Sequence, residues 1–309
     1  MPPLSVRLFG KLSVQCNEQI VSGFEASKLR EMFCYLLVHR HAPHTRETLA
    51  ALLWGDSTTA QSKKYLRQTL YEIQRALHPH LPAGENGIFV ADADWVNLNP
   101  AVDLWLDVAI FEGAFVRVNG TVGAALDDSQ AEALRDAVGL YQGDLLEGCY
   151  QDWCLYERER LQSDYLMMLD KLMSWSEAHH EYEAGLAYGQ RVMRYERARE
   201  STHRRLIRLY SLNGDRTSAL RQYARCVSAL AEELSVAPAR RTVELYDRIR
   251  ADEFESATPT PAVTSVIPEA SAVPDLMDHL KELRVVLSET ERQVQENIRV
   301  VDVALKARR

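Results

Sequence analysis

Hydrophobic and polar residues alternate at the start of the chain. Leu4-Ser5-Val6-Arg7-Leu8-Phe9 and Leu12-Ser13-Val14-Gln15-Cys16 each place every second side chain on one face, with Gly10-Lys11 between them, and Asn17-Glu18-Gln19 leads into Ile20-Val21. A period of two predicts short strands across residues 4–24. From about Ser27 the period lengthens. Leu29, Met32, Phe33, Leu36 and Leu37 share one side of a helix that ends near His39-Arg40-His41 and Pro43, because proline has no N–H with which to continue the ladder. Thr45 stands where it can cap a second helix running from Arg46 to Trp54, and Gly55-Asp56-Ser57-Thr58-Thr59 breaks that helix. A third helix is predicted from about Ala60 to Leu77, with Leu66, Leu70, Ile73 and Leu77 as its apolar stripe and Pro79 and Pro82 as its stop. Ile88-Phe89-Val90 and Trp95-Val96-Asn97-Leu98 then read as a hairpin across Ala91-Asp92-Ala93-Asp94. Strands, three helices and a hairpin within about 100 residues form the layout of a winged helix, whose second and third helices make the helix-turn-helix.

From Val102 onward the pattern is almost wholly helical, and it repeats. Tyr182-Glu183-Ala184-Gly185-Leu186 aligns with Arg216-Thr217-Ser218-Ala219-Leu220 at an offset of 34 residues, which is the tetratricopeptide period. Two units follow, 166–199 and 200–233, with further helices expected over 102–165 and 236–254 to cap them. Gly185, Gly189 and Ala219 are small enough to let paired helices approach closely, and His180 occupies the turn position that Gly214 fills in the second unit. Pro259, Pro261, Pro268 and Pro274 mark residues 255–274 as a linker. Beyond it, Leu280, Leu287, Val294 and Val301 recur every seven residues, with Leu283, Thr290, Asn297 and Ala304 between them. That spacing is the seam of a coiled coil over 275–309, strong in its first half and weak in its second. The expected fold is therefore mainly α with a small β component. It divides into a winged helix over 1–100, a helical repeat domain over 101–254, a linker, and a C-terminal helix that would support a homodimer.

Net charge changes the picture only when it is located. The chain carries 36 basic and 44 acidic residues, a balance of −8. Residues 27–80 nevertheless hold eight basic side chains against four acidic ones, while residues 101–254 hold 19 against 26. One short basic segment thus lies inside an acidic chain, and screening over roughly 10 Å lets it attract phosphate on its own. The basic residues concentrate on the third helix. Its apolar stripe leaves Lys63, Lys64, Arg67, Gln68, Tyr71 and Arg75 on the other side, and Lys64, Gln68, Tyr71 and Arg75 follow each other at spacings of four, three and four. Arginine and glutamine are suited to paired hydrogen bonds with guanine and adenine edges, and lysine near the helix start to phosphate. The tip of the hairpin carries Asp92 and Asp94 where a wing entering the minor groove usually carries a cation.

Other chemistry does not assemble. The five cysteines, Cys16, Cys34, Cys149, Cys154 and Cys226, are scattered, and none pairs with histidine at metal spacing. Asp152, Glu157 and Glu159 alternate with Arg158 and Arg160, a pattern that predicts ion pairing along a helix. Trp153, Tyr156 and Trp175 fall at helical spacing and are expected in the core. No phosphate-binding G-x-x-x-x-G-K-[ST] run occurs. Neither an enzyme nor a cofactor is expected. No run approaches a membrane span, and Met-Pro-Pro-Leu-Ser opens no secretory signal, so a cytoplasmic, nucleoid-associated protein is expected.

The stretch "RETLAALLWGDSTTAQSKKYLRQTLYEIQRAL" resembles the DNA-binding domain of the antibiotic-regulatory-protein activators, the SARP family, whose winged helix is similar to that of OmpR. The later "YQGDLLEGCYQDWCLYERERL", with the two repeat units, resembles the bacterial transcriptional activator domain of those proteins. The resemblance spans roughly residues 4–250. It implies binding of double-stranded DNA at direct repeats near a promoter, with activation through RNA polymerase and its sigma factor. By the same match, Lys63, Lys64, Arg67, Gln68, Tyr71 and Arg75 are the DNA-facing positions. The acidic wing tip and the C-terminal heptads depart from the family pattern. A second reading stays open on the residues alone: a repeat-type adaptor that binds a partner protein and whose winged helix does not touch DNA.

Overall fold

The computed structural model describes residues 4–17, 19–80 and 87–254. The linker and the C-terminal heptads lie outside these residues. The alternating start forms β1 (Leu4–Arg7), β2 (Ser13–Cys16) and β3 (Gln19–Ile20), in which Leu4, Val6, Val14 and Cys16 point inward. The predicted helices follow as α1 (Ser27–Val38), α2 (Arg46–Trp54) and α3 (Thr59–Leu77). Thr45 does cap α2, its hydroxyl accepting from the Thr48 amide at 3.1 Å. A two-residue strand, β4 (His44–Thr45), precedes α2, and β5 (Phe89–Ala91) with β6 (Trp95–Leu98) makes the hairpin. The small sheet has the order β4-β6-β5, so the wing is pinned to the residues that start α2.

One strand was not legible in the helical stretch. β7 (Leu104–Leu106) pairs in parallel with β1, matching Leu4 to Leu104 and Val6 to Leu106, and completes a sheet of order β3-β2-β1-β7. Immediately after it, Asp107 opens α4 (Asp107–Arg117) and turns its carboxylate back onto β1, accepting from the Leu8 and Phe9 amides at 2.8 and 3.0 Å.

The helical region continues as α5 (Asp128–Leu140), α6 (Asp152–Ala178), α7 (Tyr182–Val192), α8 (Glu200–Leu212), α9 (Arg216–Leu234) and α10 (Arg240–Arg250). The 34-residue period is preserved in three dimensions. The second half of α6 with α7, and α8 with α9, are successive antiparallel pairs, and α10 covers the end of the stack against α8 and α9. His180 at φ 62° and Gly214 at φ 79° occupy the same left-handed turn position, which glycine enters freely and a β-carbon strains. Gly189 permits the closest helix approach: a Cβ there would lie 2.5 Å from Leu206 Cδ2 and 2.7 Å from Met173 Cε.

The core is continuous. Phe33, Leu37, Leu66 and Ile73 of the winged helix belong to one buried cluster with Phe111, Leu134, Leu161 and Leu169 of the helical region. Backbone bonds add to the joint. Gly10 donates to Asp144, Leu146 to Leu8 and Glu147 to Gly10, at 2.7–2.9 Å, so the loop before α6 extends the edge of the N-terminal turn. Arg158 locks that loop by donating to the carbonyls of Leu145, Leu146 and Cys149 at 2.9–3.1 Å. The expectation that Arg158 pairs with neighbouring carboxylates is thus corrected, because backbone oxygens lie closer. Arg160 does pair, with Glu157 and Asp164 on its own helix and with Glu112 of α4. Trp175 is buried as expected, and Trp153 stands edge-on to Tyr35 with ring centroids 5.3 Å apart. Tyr156 is not in the core: it is 72% exposed, because α6 turns that face to solvent before its repeat packing begins.

Candidate nucleic-acid interface

α3 separates its two chemistries cleanly. Ser62, Leu66, Thr69, Leu70, Ile73 and Leu77 face inward and are buried. Burying the three leucines and the isoleucine contributes about 1.5–3 kcal/mol each, which fixes the rotation of the helix. Lys63, Lys64, Arg67, Gln68, Tyr71 and Arg75 are all exposed as a consequence. Tyr71 presents 64% of its surface, a high value for an aromatic side chain with no core partner. The structure therefore brings all six sequence-selected residues to the outer side of one helix.

Within that surface the polar groups are partly occupied by neighbours. Lys63 Nζ lies 2.9 Å from Glu47 Oε1 of α2, and Gln68 donates to Glu72 at 2.9 Å. Arg67 Nε donates to the Lys63 carbonyl at 3.3 Å, which holds its stem along the helix while the guanidinium tip stays outside. Lys64 and Arg75 have no ion pair among the described residues. Both contacts to Glu47 and Glu72 join exposed groups, so they exchange readily for a polyanion.

Sequence reasoning missed a groove beside the helix. The start of α2, the first half of α3 and the wing tip enclose about 590 Å³, lined by Thr45, Arg46, Lys63, Arg67, Asp94 and Trp95 among others. Arg46 is half-buried at its base, with no hydrogen-bond partner for Nε, and Trp95 is 43% exposed. Arg46 was visible in the sequence only as one more cation. Its place in the groove depends on β4 pairing with β6, a contact of two residues that no periodicity announces. The amide of Arg46 donates to the Asp94 carbonyl at 2.8 Å, tying the wing tip to α2.

The acidic wing tip has a local explanation. The Asp92 carboxylate accepts from the Asp94 and Trp95 amides at 2.8 and 2.7 Å. Those two bonds, Trp95 first, hold its pKa below the ordinary carboxylate value. Asp92 is thus a turn-forming residue whose charge is partly satisfied by the backbone dipoles. No group of His, Cys, Asp and Glu among the described residues is arranged to hold a metal ion. Nor is any described helix long and apolar enough to cross a membrane.

Residues 106–250 match the family model of the bacterial transcriptional activator domain. Among solved structures, the chain is similar to Mycobacterium tuberculosis EmbR in complex with a low affinity phosphopeptide. That similarity has a TM-score of 0.66 at 20% identity and covers 82% of this chain and 66% of the other, so it concerns the fold and about two thirds of the longer protein. No curated protein matches the chain.

Proposed function

We propose that this chain, whose residues 106–250 match the bacterial transcriptional activator domain, is a SARP-type regulator that binds promoter DNA through α3 and activates transcription by recruiting RNA polymerase. The observation that carries this reading is the single exposed face holding Lys63, Lys64, Arg67, Gln68, Tyr71 and Arg75 over a buried, uncharged opposite face. A helix so divided can enter a major groove about 12 Å wide without disturbing its own packing. Arg67 and Gln68 are assigned to base edges, Lys63, Lys64 and Arg75 to phosphates, and Tyr71 to sugar or thymine methyl contact. Arg46 at the groove beside the wing adds a further phosphate partner. The acidic balance of residues 101–254 keeps the helical region off the duplex and leaves it to face polymerase and sigma factor.

The target would be a direct repeat, each copy read by one chain, with the heptads of 275–309 joining two chains across the linker. Work in the cytoplasm, at the nucleoid, follows from that role. Two experiments test the reading. Selection of bound duplexes from a random pool by the full chain should enrich a repeated element, and a template carrying it upstream of a promoter should give more transcript when the protein joins polymerase holoenzyme. Failure to enrich any sequence, together with no duplex binding at 50 mM salt, would leave the adaptor reading in possession.

A further inference from the structure

Between the two repeat units lies a groove that DNA reading does not use. Side chains of α7, of the turn after it, of α8 and of α9 enclose about 450 Å³, the volume of a small organic ligand rather than of an extended chain. Leu206 and Ala229 form its buried apolar floor, with Met193 beside them. Two polar side chains share that floor, His203 at 3% exposure and Gln222 at 5%. Buried polar groups persist where they are hydrogen-bonded, and these two are bonded in a fixed order. His203 Nε2 lies 2.9 Å from the Arg197 carbonyl, which can only accept, so that nitrogen carries the proton. Nδ1 is therefore the acceptor, and the Gln222 amide nitrogen donates to it at 2.9 Å. This turns the Gln222 amide oxygen to Arg225, three residues further along α9, whose Nη1 donates to it at 3.5 Å. That contact is long and uses one of five guanidinium donors. Arg225 is exposed and has no carboxylate partner among the described residues, whereas Arg197 is held by Glu232 at 2.6 Å. The groove is thus lined by two arginines and no carboxylate, in a region where acidic residues outnumber basic ones by 26 to 19.

We propose that this groove binds a small organic acid, with its carboxylate on the Arg225 guanidinium and its apolar body over Leu206, Met193 and Ala229. A guanidinium offers parallel N–H groups that match the two oxygens of a carboxylate. Ser228 also lines the groove and lies three residues on from Arg225, so its hydroxyl is on the same side of α9. The His203–Gln222 pair acts as the positioning element, because it fixes the oxygen that keeps one end of the guanidinium beside the apolar floor. A bound acid touches α7, α8 and α9 together and so joins the two repeat units. This site goes beyond the DNA-binding reading and does not rest on it.

The test uses the full chain and needs no DNA, so it can fail or succeed independently of the regulatory reading. Calorimetric titration with phenylacetate and isovalerate is compared with titration by their neutral amides. Each acid should bind about tenfold more tightly than its amide. Arg225→Met should remove that difference. Arg221→Met takes the same charge from the same helix outside the groove and should preserve it. Both arginines are exposed, so both variants should melt with the parent. Ala224→Trp, at an exposed position on the lining, should fill the groove and weaken acid and amide alike. Equal affinity for acid and amide, an equal loss in Arg221→Met, or no saturable binding of either acid at millimolar concentration would overturn the proposal. So would tighter binding of a short peptide ending in a free phenylalanine carboxylate than of phenylacetate, since the groove would then belong to a protein chain end.

Discussion

Salt dependence offers the sharpest measure of the interface on α3. Four cations are assigned to phosphate: Lys63, Lys64 and Arg75 on its exposed side, and Arg46 in the groove beside the wing. If each neutralises one phosphate, the slope of log affinity against log salt should be about −3.6 per bound chain, at roughly −0.9 per phosphate. Between 50 and 200 mM salt, affinity should then fall about 150-fold. Lys64→Ala removes one contact and should bring the slope to about −2.7, so that the same interval costs only about 40-fold. Gln68→Ala should leave the slope unchanged and instead erode preference at one base pair, by about 1–3 kcal/mol. Lys63 adds an internal control, because Glu47 holds it at 2.9 Å in the free protein. Glu47→Gln should strengthen binding and steepen the slope, since a competitor for the lysine is gone. Fluorescence anisotropy with a selected duplex, repeated at five or six salt concentrations, measures all four variants. Equal slopes for the parent, Lys64→Ala and Arg75→Ala would refute the assignment of these side chains to phosphate, whatever the absolute affinity.

Four further outcomes concern the joint and the helical stack. Arg158→Met should destabilise the chain by about 2–4 kcal/mol, since it takes a charged donor from the carbonyls of Leu145, Leu146 and Cys149, of which Leu146 keeps the Cys149 amide; a melting point within about 2 °C of the parent would contradict the clamp. Gly189→Ala should cost about 1–3 kcal/mol by forcing Leu206 and Met173 apart, whereas Gly139→Ala, with nothing within 4 Å, should stabilise by up to about 1 kcal/mol in the same denaturation assay. His203 is lowered from 6.5 by burial, so the unfolded chain takes up a proton first as pH falls. Stability should therefore be fully present above about 6.5 and decline as pH drops toward the lower folded value, and His203→Gln should flatten that decline in urea titrations at pH 7.5, 6.5 and 5.5. Finally, residues 1–100 alone should lack a cooperative thermal transition, because β7 and Asp107 lie beyond the cut; a sharp transition for that fragment would show that the N-terminal sheet does not need them.

What was legible in the sequence is what repeats or alternates. The apolar stripe of α3, the cap at Thr45 and the 34-residue spacing were each readable because a regular period places many side chains under one constraint. The six exposed residues of α3 followed from the same geometry, since fixing the buried face of a helix fixes the opposite one. Short pairings behaved differently. β4 and β7 contain two and three residues, too few to display a period, and both exist because distant strands offer them partners. The groove with Arg46 and the sheet edge beside Asp107 depend on those pairings and were hidden with them. Tyr156 was misplaced for a related reason: helical spacing gives a face, but only the neighbours of α6 show which turns of that face are covered.

The shared core has a consequence for how this chain can move. A hinge between a DNA-reading part and an activating part would require a stretch with few buried contacts and free backbone bonds. The described residues show the reverse between position 100 and α4. β7 is hydrogen-bonded into the N-terminal sheet, Asp107 satisfies the Leu8 and Phe9 amides just after β1 while heading α4, and Arg40 after α1 meets Glu112 of α4 at 2.6 Å. Separating the two parts would strand that carboxylate and expose Phe9, Phe111 and Tyr141, whose rings are in mutual contact at 4.8–5.9 Å. Each of those losses is of the order of the 1–3 kcal/mol that accompanies an unsatisfied buried group or an uncovered aromatic side chain. The winged helix and the first helices behind it should thus move as one rigid body.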